Sequence, residues 1–552
     1  MEYSRFLHQS QMRLQLAIVA AAAAATATGI VKADNGVITD LPGAEGMDFP
    51  NMYSGYLDLP NTEKHVFFWY VEAEKDPETA PVALWTNGGP GCSGLTGFMT
   101  EQGPFHVGAE GQLEKNPYAW NTLANMFFIE QPVGVGFSYS DDPAADYSPG
   151  DWDAARDNYA AILTFLETYP NLKNNDFYIT AESYGGHYMP TLAKYIVDHN
   201  TDNAINFKGF AVGNPFTSKA TNGLGEFNTL YGHQLVSKPR FESWQRNCGA
   251  HYKTAKEAEL SASVLDGPLP IFTKPYRCLV DEEAMLGSIE LNLNPYALDF
   301  PTCPRGGDDD EIKKSVAAAV GGRGGGRFGG AQRLQLLRAK YADEPNLLKV
   351  LEKGLTKGQQ KHAKGPDDVV TAYEPCTDQY ATAYLNRLDV QNSIHVNGGA
   401  AHSNDTVVSW DECSRSIRYN MSDSRTPMMP IYQYLLDPAN DFDLKLLVFS
   451  GDDDDVCATE GSQEWIYDLG FDTAQDVDGI YDLSWHAWHY DDDTFGRQTG
   501  GFTVNFNQSQ MSGMFAFTTA HGCGHEVPTY KPQLALEIFR SYLSGDVFLP
   551  TS

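Results

Sequence analysis

From about residue 50 onward, short β-branched or aromatic runs alternate with segments of helical period, and this rhythm predicts an α/β protein built on a sheet. The predicted strands are 66–71, 82–86, 126–130, 177–180, 210–212, 444–450 and 514–519. Several of these are unbroken apolar runs rather than alternating ones. That is the pattern of central strands covered by helices on both faces. Between 215 and 437 the strand rhythm fades, which reads as an insertion laid over the sheet. Within it, 306–365 differs again: an acidic run at 308–311, a glycine-arginine stretch at 321–330, then a lysine-rich helical pattern. Glycine-rich sequence with few apolar residues predicts an exposed loop, and such a loop is also where proteolytic excision would concentrate.

The N-terminus departs from this pattern. Arg13 precedes an alanine-rich apolar run, 14–31, and Val31-Lys32-Ala33 offers small residues to a signal peptidase, so cleavage is expected after Ala33. The competing reading, a membrane anchor, fits less well because the run is alanine-heavy and weakly hydrophobic. No later run is long enough to span a bilayer. The expected organisation is therefore a signal peptide at 1–33, a core made of 34–214 and 438–552, and a cap at 215–437.

Charge narrows the partners. With 39 basic and 72 acidic residues the chain carries a formal −33, which repels nucleic acid and anionic membranes and suits work in acid. Eight cysteines behind a signal peptide predict disulfides. Sequons at Asn404, Asn420 and Asn507 fit the same secretory route.

Candidate chemistry starts at Ala181-Glu182-Ser183-Tyr184-Gly185-Gly186, which follows a predicted strand and precedes a helical pattern from Met189. Strand, sharp turn, helix is the setting of a nucleophile elbow, here with Ala181 in place of the first glycine. A serine hydroxyl needs a base, and the base needs an orienting acid. Both follow in the chain order an elbow requires: Asp452-Asp453-Asp454-Asp455 after the strand at 444–450, and His525 after the strand at 514–519. A calcium loop is the other reading of the aspartate run, but the spaced ligands and distal glutamate of such a loop are missing. A further block, Trp85-Thr86-Asn87-Gly88-Gly89-Pro90-Gly91-Cys92, places consecutive glycines after a strand, where backbone N–H groups can approach an oxyanion. No His/Cys cluster has zinc-ligand spacing, so no metal or cofactor is expected, and His486 and His489 read as surface or pocket-packing residues rather than a ligand pair.

Taken in order with Glu101-Gln102-Gly103-Pro104, Asn116-Pro117-Tyr118-Ala119-Trp120-Asn121, Gln131-Pro132-Val133-Gly134 and Val212-Gly213-Asn214-Pro215, these blocks resemble the serine carboxypeptidase family from about residue 55 to 549. The resemblance implies an α/β-hydrolase fold with a mostly parallel sheet and a disulfide-bearing cap. It implies release of C-terminal residues from peptides and proteins, favoured in acid, through Ser183, Asp454 and His525. Gly89 and Tyr184 are then the oxyanion donors. Asn87, Gly88, Glu182, Trp85 and Glu101 form the clamp for the substrate's terminal carboxylate, which needs a proton shared between carboxyls. Asp452 is structural in this reading, while Asp453 and Asp455 are solvated.

The resemblance also implies a Cys92–Cys413 bridge, and leaves Cys248, Cys278, Cys303 and Cys376 to form two more of unspecified connectivity. Cys457 and Cys523 are expected near each other at the site, as a disulfide or as a thiol pair. Extracellular space, vacuole and lysosome all suit such a chain, as monomer or homodimer, with no membrane anchor after signal cleavage. An acyltransferase of the same fold is the alternative activity; an ordinary lipase or a non-catalytic scaffold ranks below it.

Overall fold

The computed structural model describes residues 36–263, 267–287, 293–303, 373–398, 406–474, 485–545 and 547–548. The expected signal peptide, the loop at 306–365 and the sequon at Asn404 lie outside the described residues. The described residues from Val37 onward cluster as one compact unit.

Eleven of the described strands form one sheet, in the order β1-β2-β6-β3-β8-β9-β10-β13-β12-β11 with β7 beside β2. The strands are β1 (Met52–Asp58), β2 (Lys64–Val71), β3 (Val82–Thr86), β6 (Asn125–Ile129), β7 (Tyr139–Ser140), β8 (Phe177–Glu182), β9 (Phe207–Gly213), β10 (Leu444–Gly451), β11 (His486–Asp492), β12 (Gly496–Asn505) and β13 (Gly513–Ala520). A separate hairpin joins β4 (Phe105–Val107) to β5 (Leu113–Lys115). The run from β6 to β13 is parallel throughout, and antiparallel strands extend it at both ends.

The period of two explains why the central strands read as solid apolar runs. In β3, Val82 and Leu84 enter one core while Ala83 and Trp85 enter the other. β10 repeats this, with Leu444, Leu446 and Val448 on one side and Leu447 and Phe449 on the other. Helices cover both faces. Gly185–His199 brings Met189, Leu192, Ala193 and Ile196 to the first core, and Pro532–Ser544 brings Ala535, Ile538, Phe539 and Tyr542 to the second. Those spacings of three and four residues are the buried stripe of an amphipathic helix.

The stretch between β9 and β10 contributes helices at Lys219–Gly232, Lys238–Leu260, Tyr276–Leu286, Thr377–Leu385, Leu388–Ser393 and Met429–Leu436. It has a small core of its own, with Phe227, Leu230, Trp244, Cys248, Cys278 and Met285. The disulfides are Cys92–Cys413, Cys248–Cys278 and Cys303–Cys376.

Several expectations need correction. The six strands β1, β4, β5, β7, β11 and β12 were not predicted: most are short or carry polar, exposed positions on the sheet's antiparallel margins, where no continuous apolar run is needed. The helix after Ser183 starts at Gly185 rather than Met189. Asp453 and Asp455 are buried, not solvated, because residues 295–299 fold over the loop: Asp299 N–H and Pro295 carbonyl bond to Asp453 and Asp455 respectively. Of the two alternatives for Cys457 and Cys523 only the disulfide is contradicted: both are buried thiols and no disulfide joins them. Outside these corrections, His486 and His489 lie on β11 at the sheet edge, where His486 Nε2 meets the Phe548 carbonyl at 3.0 Å.

Candidate active site at the carboxyl end of the sheet

In an open parallel sheet, loops leaving the carboxyl ends of neighbouring strands converge on one crevice. Here β3, β8, β9, β10 and β13 deliver Asn87, Ser183, Asn214, Asp454 and His525 to that end. Ser183 follows β8 directly and has φ of +62°, the turn that carries the chain from strand to helix. Its N–H donates to Gly213 O at 3.0 Å and its carbonyl accepts from Phe216 N at 2.8 Å, which pins this left-handed conformation from both sides. Gly185 makes room for Ala181: a Cβ on Gly185 would stand 2.5 Å from that of Ala181. One position of the elbow must therefore be glycine, and the second one is.

His525 Nδ1 lies 2.6 Å from Asp454 Oδ2, and both side chains are buried. Asp454 is saturated with donors. Oδ2 also accepts from Asn214 Nδ2 at 3.0 Å and Cys457 N at 3.1 Å, and Oδ1 accepts from Val456 N at 2.8 Å. Asn214 is in turn fixed by Gly451, whose N–H donates to Asn214 Oδ1 at 2.8 Å and whose carbonyl accepts from Nδ2 at 3.1 Å. The other imidazole nitrogen, His525 Nε2, is buried without a hydrogen bond. A buried basic nitrogen in that condition is suited to receive a proton.

The glycine turn after β3 packs against the elbow. A Cβ on Gly88 would stand 2.4 Å from Tyr184 N and 2.7 Å from Ser183 Cβ, so only glycine allows the approach. Gly89 has φ of +111°. Tyr184 is the N-cap of the helix Gly185–His199, at the end where backbone N–H groups lack intrahelical partners and the helix dipole favours negative charge. The turn is anchored beyond the sheet by Cys92–Cys413, by Ser93 N to Glu412 O at 2.7 Å and by Ser414 N to Gly91 O at 2.9 Å.

Glu182, Glu101 and Asn87 form the second feature. Asn87 Oδ1 accepts from Trp85 Nε1 at 2.9 Å and from Gly97 N at 3.0 Å, which orients the amide. Its Nδ2 then donates to Glu101 Oε1 and to Glu182 Oε1, each at 2.9 Å. Both glutamates are buried, and their remaining oxygens, Oε2 in each, have no hydrogen-bond partner. Burial pushes Glu101 up to about 8, against the smaller opposing effect of the Asn87 hydrogen bond. Burial, then the charge of Glu101, holds Glu182 well above the ordinary carboxyl range.

Three further carboxyls, absent from the sequence reading, belong to this neighbourhood. Glu526, beside His525, is buried and raised well above its ordinary value, first by burial and then by the charges of Glu182, Asp378, Glu101 and Glu412. Asp378 and Glu412 are raised too, first by burial, although each keeps some solvent contact. Two signals were available: Glu526 adjoins His525, and Glu412 adjoins Cys413, the expected partner of Cys92. Asp378 lies about 200 residues from the elbow and had none of its own.

Elsewhere, Asn420 and Asn507 each cap a short 3-10 turn, Asn420 exposed and Asn507 partly so. No helix among the described residues is long and apolar enough to cross a membrane.

The family described as serine carboxypeptidase matches residues 42–545. Serine carboxypeptidase-like 27 of Arabidopsis thaliana is 32% identical over 522 residues, covering 92% of each chain. Serine carboxypeptidase 24 of the same plant is 30% identical over 515 residues, again covering 92% of each. Among solved structures, Kex1(delta)p, a prohormone-processing carboxypeptidase from Saccharomyces cerevisiae, superposes with a TM-score of 0.63 at 18% identity, covering 93% of this chain and 96% of its own. At that identity the likeness establishes the α/β-hydrolase fold.

Proposed function

The chain belongs to the serine carboxypeptidase family of hydrolases, and from that premise we propose that it removes single residues from the C-terminus of peptides and proteins, best in acid, within the secretory pathway. The observation that carries this reading is the buried Glu101–Glu182 pair on Asn87, one residue from Ser183. A carboxyl there that holds its proton can donate to the terminal carboxylate of a peptide, and a deprotonated pair would repel it. Asn87, Gly88 and Trp85 shape and orient that clamp. An internal peptide bond has no such carboxylate to offer, so the clamp selects the chain end.

In the proposed reaction Ser183 Oγ attacks the carbonyl carbon of the last peptide bond while His525 Nε2 takes its proton. Asp454 holds the imidazole in the tautomer with Nδ1–H and stabilises the imidazolium. The N–H groups of Gly89 and Tyr184 stabilise the oxyanion, a contribution of roughly 2.7 to 4 kcal/mol for each such donor. His525 returns the proton to the leaving amine, the C-terminal residue departs, and water then cleaves the acyl-enzyme ester by the same relay.

The test is release of the last residue from a blocked dipeptide and from its amide, at acid and neutral pH. Release should favour acid, require the free carboxylate, and fall about 10⁴-fold or more in Ser183→Ala. Equal release from the amide would refute the clamp. Acyl transfer to an alcohol in place of release would assign the acyltransferase activity instead.

A further inference from the structure

Four consecutive aspartates follow β10, and the proposed reaction uses one of them. Asp452 accepts from Gly522 N at 2.7 Å and meets His521 Nδ1 at 2.7 Å on the surface. Asp453 has no such simple role. It is only 3% exposed, and its Oδ2 accepts from Asp299 N at 2.8 Å. Its Oδ1, equally buried, makes no hydrogen bond. That oxygen faces His233 Nδ1 at 3.6 Å, beyond hydrogen-bonding distance. The Asp299 carboxylate reaches the same point, and one ligand atom from each of His233, Asp299 and Asp453 lies within 4.8 Å of the others.

We propose that His233, Asp299 and Asp453 bind one divalent transition-metal ion of the zinc type, which clips the loop carrying Asp454 to the two segments lying over it. Zinc bonds nitrogen and carboxylate oxygen at about 2.0–2.2 Å, so two ligands in a tetrahedral shell stand about 3.3–3.5 Å apart. The 3.6 Å between His233 Nδ1 and Asp453 Oδ1 is therefore close to the separation across an ion, and too long for a direct bond between the two groups. One imidazole and two carboxylates suit a borderline ion, with water in the fourth position. Calcium is disfavoured, because it takes about 6–8 oxygen ligands, more than this cluster supplies.

The supports differ in a way that suits entry and retention. Asp299 is exposed, and the His233 side chain at the end of the helix Lys219–Gly232 is 27% exposed, so an ion can arrive from solvent. Asp453 is held from beneath by its own backbone, its N–H donating to Cys523 O at 2.9 Å and its carbonyl accepting from Leu298 N at 3.0 Å. The ligands come from three separated stretches of chain. An ion joining them would oppose any separation of the residue 299 segment and the helix end from the acid loop. None of the three is among the groups proposed to perform catalysis, so this site stands or falls independently of the peptidase reading.

The experiment uses the full chain, stripped with a chelator, dialysed, and titrated with zinc and separately with cobalt at about pH 7.5, where an ordinary imidazole is neutral. The expected result is one equivalent bound saturably and a rise in Tm of about 2 °C once free zinc exceeds its Kd about 100-fold. Cobalt should show the visible bands of a low-coordinate complex. His233→Gln and Asp299→Asn change groups that reach solvent and should leave the metal-free Tm unchanged, while each weakens zinc binding at least ~10-fold. No saturable binding below about 1 mM would overturn the proposal and leave His233 and Asp453 as a plain ion pair. An isotherm unaltered in both variants would overturn it equally, by placing the ion elsewhere.

Discussion

Two carboxyl environments lie at the same end of the sheet, and they are built on opposite principles. Asp454 accepts from four donors: the imidazole, one amide and two backbone N–H groups. In all four contacts the carboxylate can serve as the acceptor. Glu101 and Glu182 are as deeply buried but share a single Asn87 amide. Burial is the largest cause of the rise in each, and the charge of Glu101 adds to it at Glu182. Burial of comparable depth thus has different consequences according to how many donors the backbone brings. The loop after β10 supplies N–H groups because it turns tightly into the helix Thr459–Asp468, whereas Glu182 ends a strand whose N–H groups serve the sheet.

The largest expected effect comes from disturbing the donor-rich side. Asparagine at 454 keeps the shape but can turn an N–H toward His525 Nδ1, which favours the wrong tautomer. Asp454→Asn should lower kcat about 10⁴-fold while circular dichroism stays unchanged. Measuring peptide release across pH would show whether this loss is uniform. A loss confined to one limb of the profile would mean that Asp454 acts on a proton elsewhere.

The donor-poor side should reveal itself in stability. Glu101 has a folded value of about 8 against an ordinary 4.5, so the folded chain binds a proton there more tightly than the unfolded chain does. Its contribution is complete below the unfolded value and is lost as pH rises through the folded one. Unfolding free energy should therefore fall between about pH 4.5 and 8, by up to about 1.4 kcal/mol per pH unit for each proton involved. Glu182 and Glu526 contribute with the same sign. Glu101→Gln keeps the acceptor for Asn87 and removes the titration, so urea unfolding at pH 5 and pH 8 should differ by less than in wild type. An undiminished difference would assign the slope to the other carboxyls.

This contrast also explains what could be read before the structure. The parallel strands were legible because both of their faces are buried, leaving runs such as Val82-Ala83-Leu84-Trp85 that only a two-core sheet explains. The elbow and the order of serine, aspartate and histidine were legible because they are local motifs at strand ends. The burial of Asp453 was not, since it depends on residues 295–299, more than 150 positions earlier, folding over the loop. Asp378 and Glu412 escaped for the same reason: each is an ordinary acidic residue in an acidic chain until the tertiary fold and the Cys92–Cys413 bridge bring it near Glu101. Asn214 stands in the motif Val212-Gly213-Asn214-Pro215, but its hydrogen bonds to Asp454 and Gly451 are products of strand order, because β9 lies next to β10.

Asn214 offers the smallest perturbation that still bears on the comparison. With φ of +36° it occupies a backbone region that glycine enters freely, so Asn214→Gly removes the side chain without backbone strain. Asp454 then loses one of its four donors and keeps the imidazole and the N–H groups of Val456 and Cys457. A hydrogen bond to a charged group is worth about 1.5–3 kcal/mol, and only the part that differs between ground and transition states alters the rate. The expected result is a fall in kcat of about 10-fold with KM unchanged, because the glutamate clamp is untouched. A fall as large as that of Asp454→Asn would mean that the donors act as one unit, with no single one dispensable. No change in kcat would mean that the backbone N–H groups alone keep Asp454 in place, and that the donor-rich side owes its character to the tight loop rather than to the neighbouring strand.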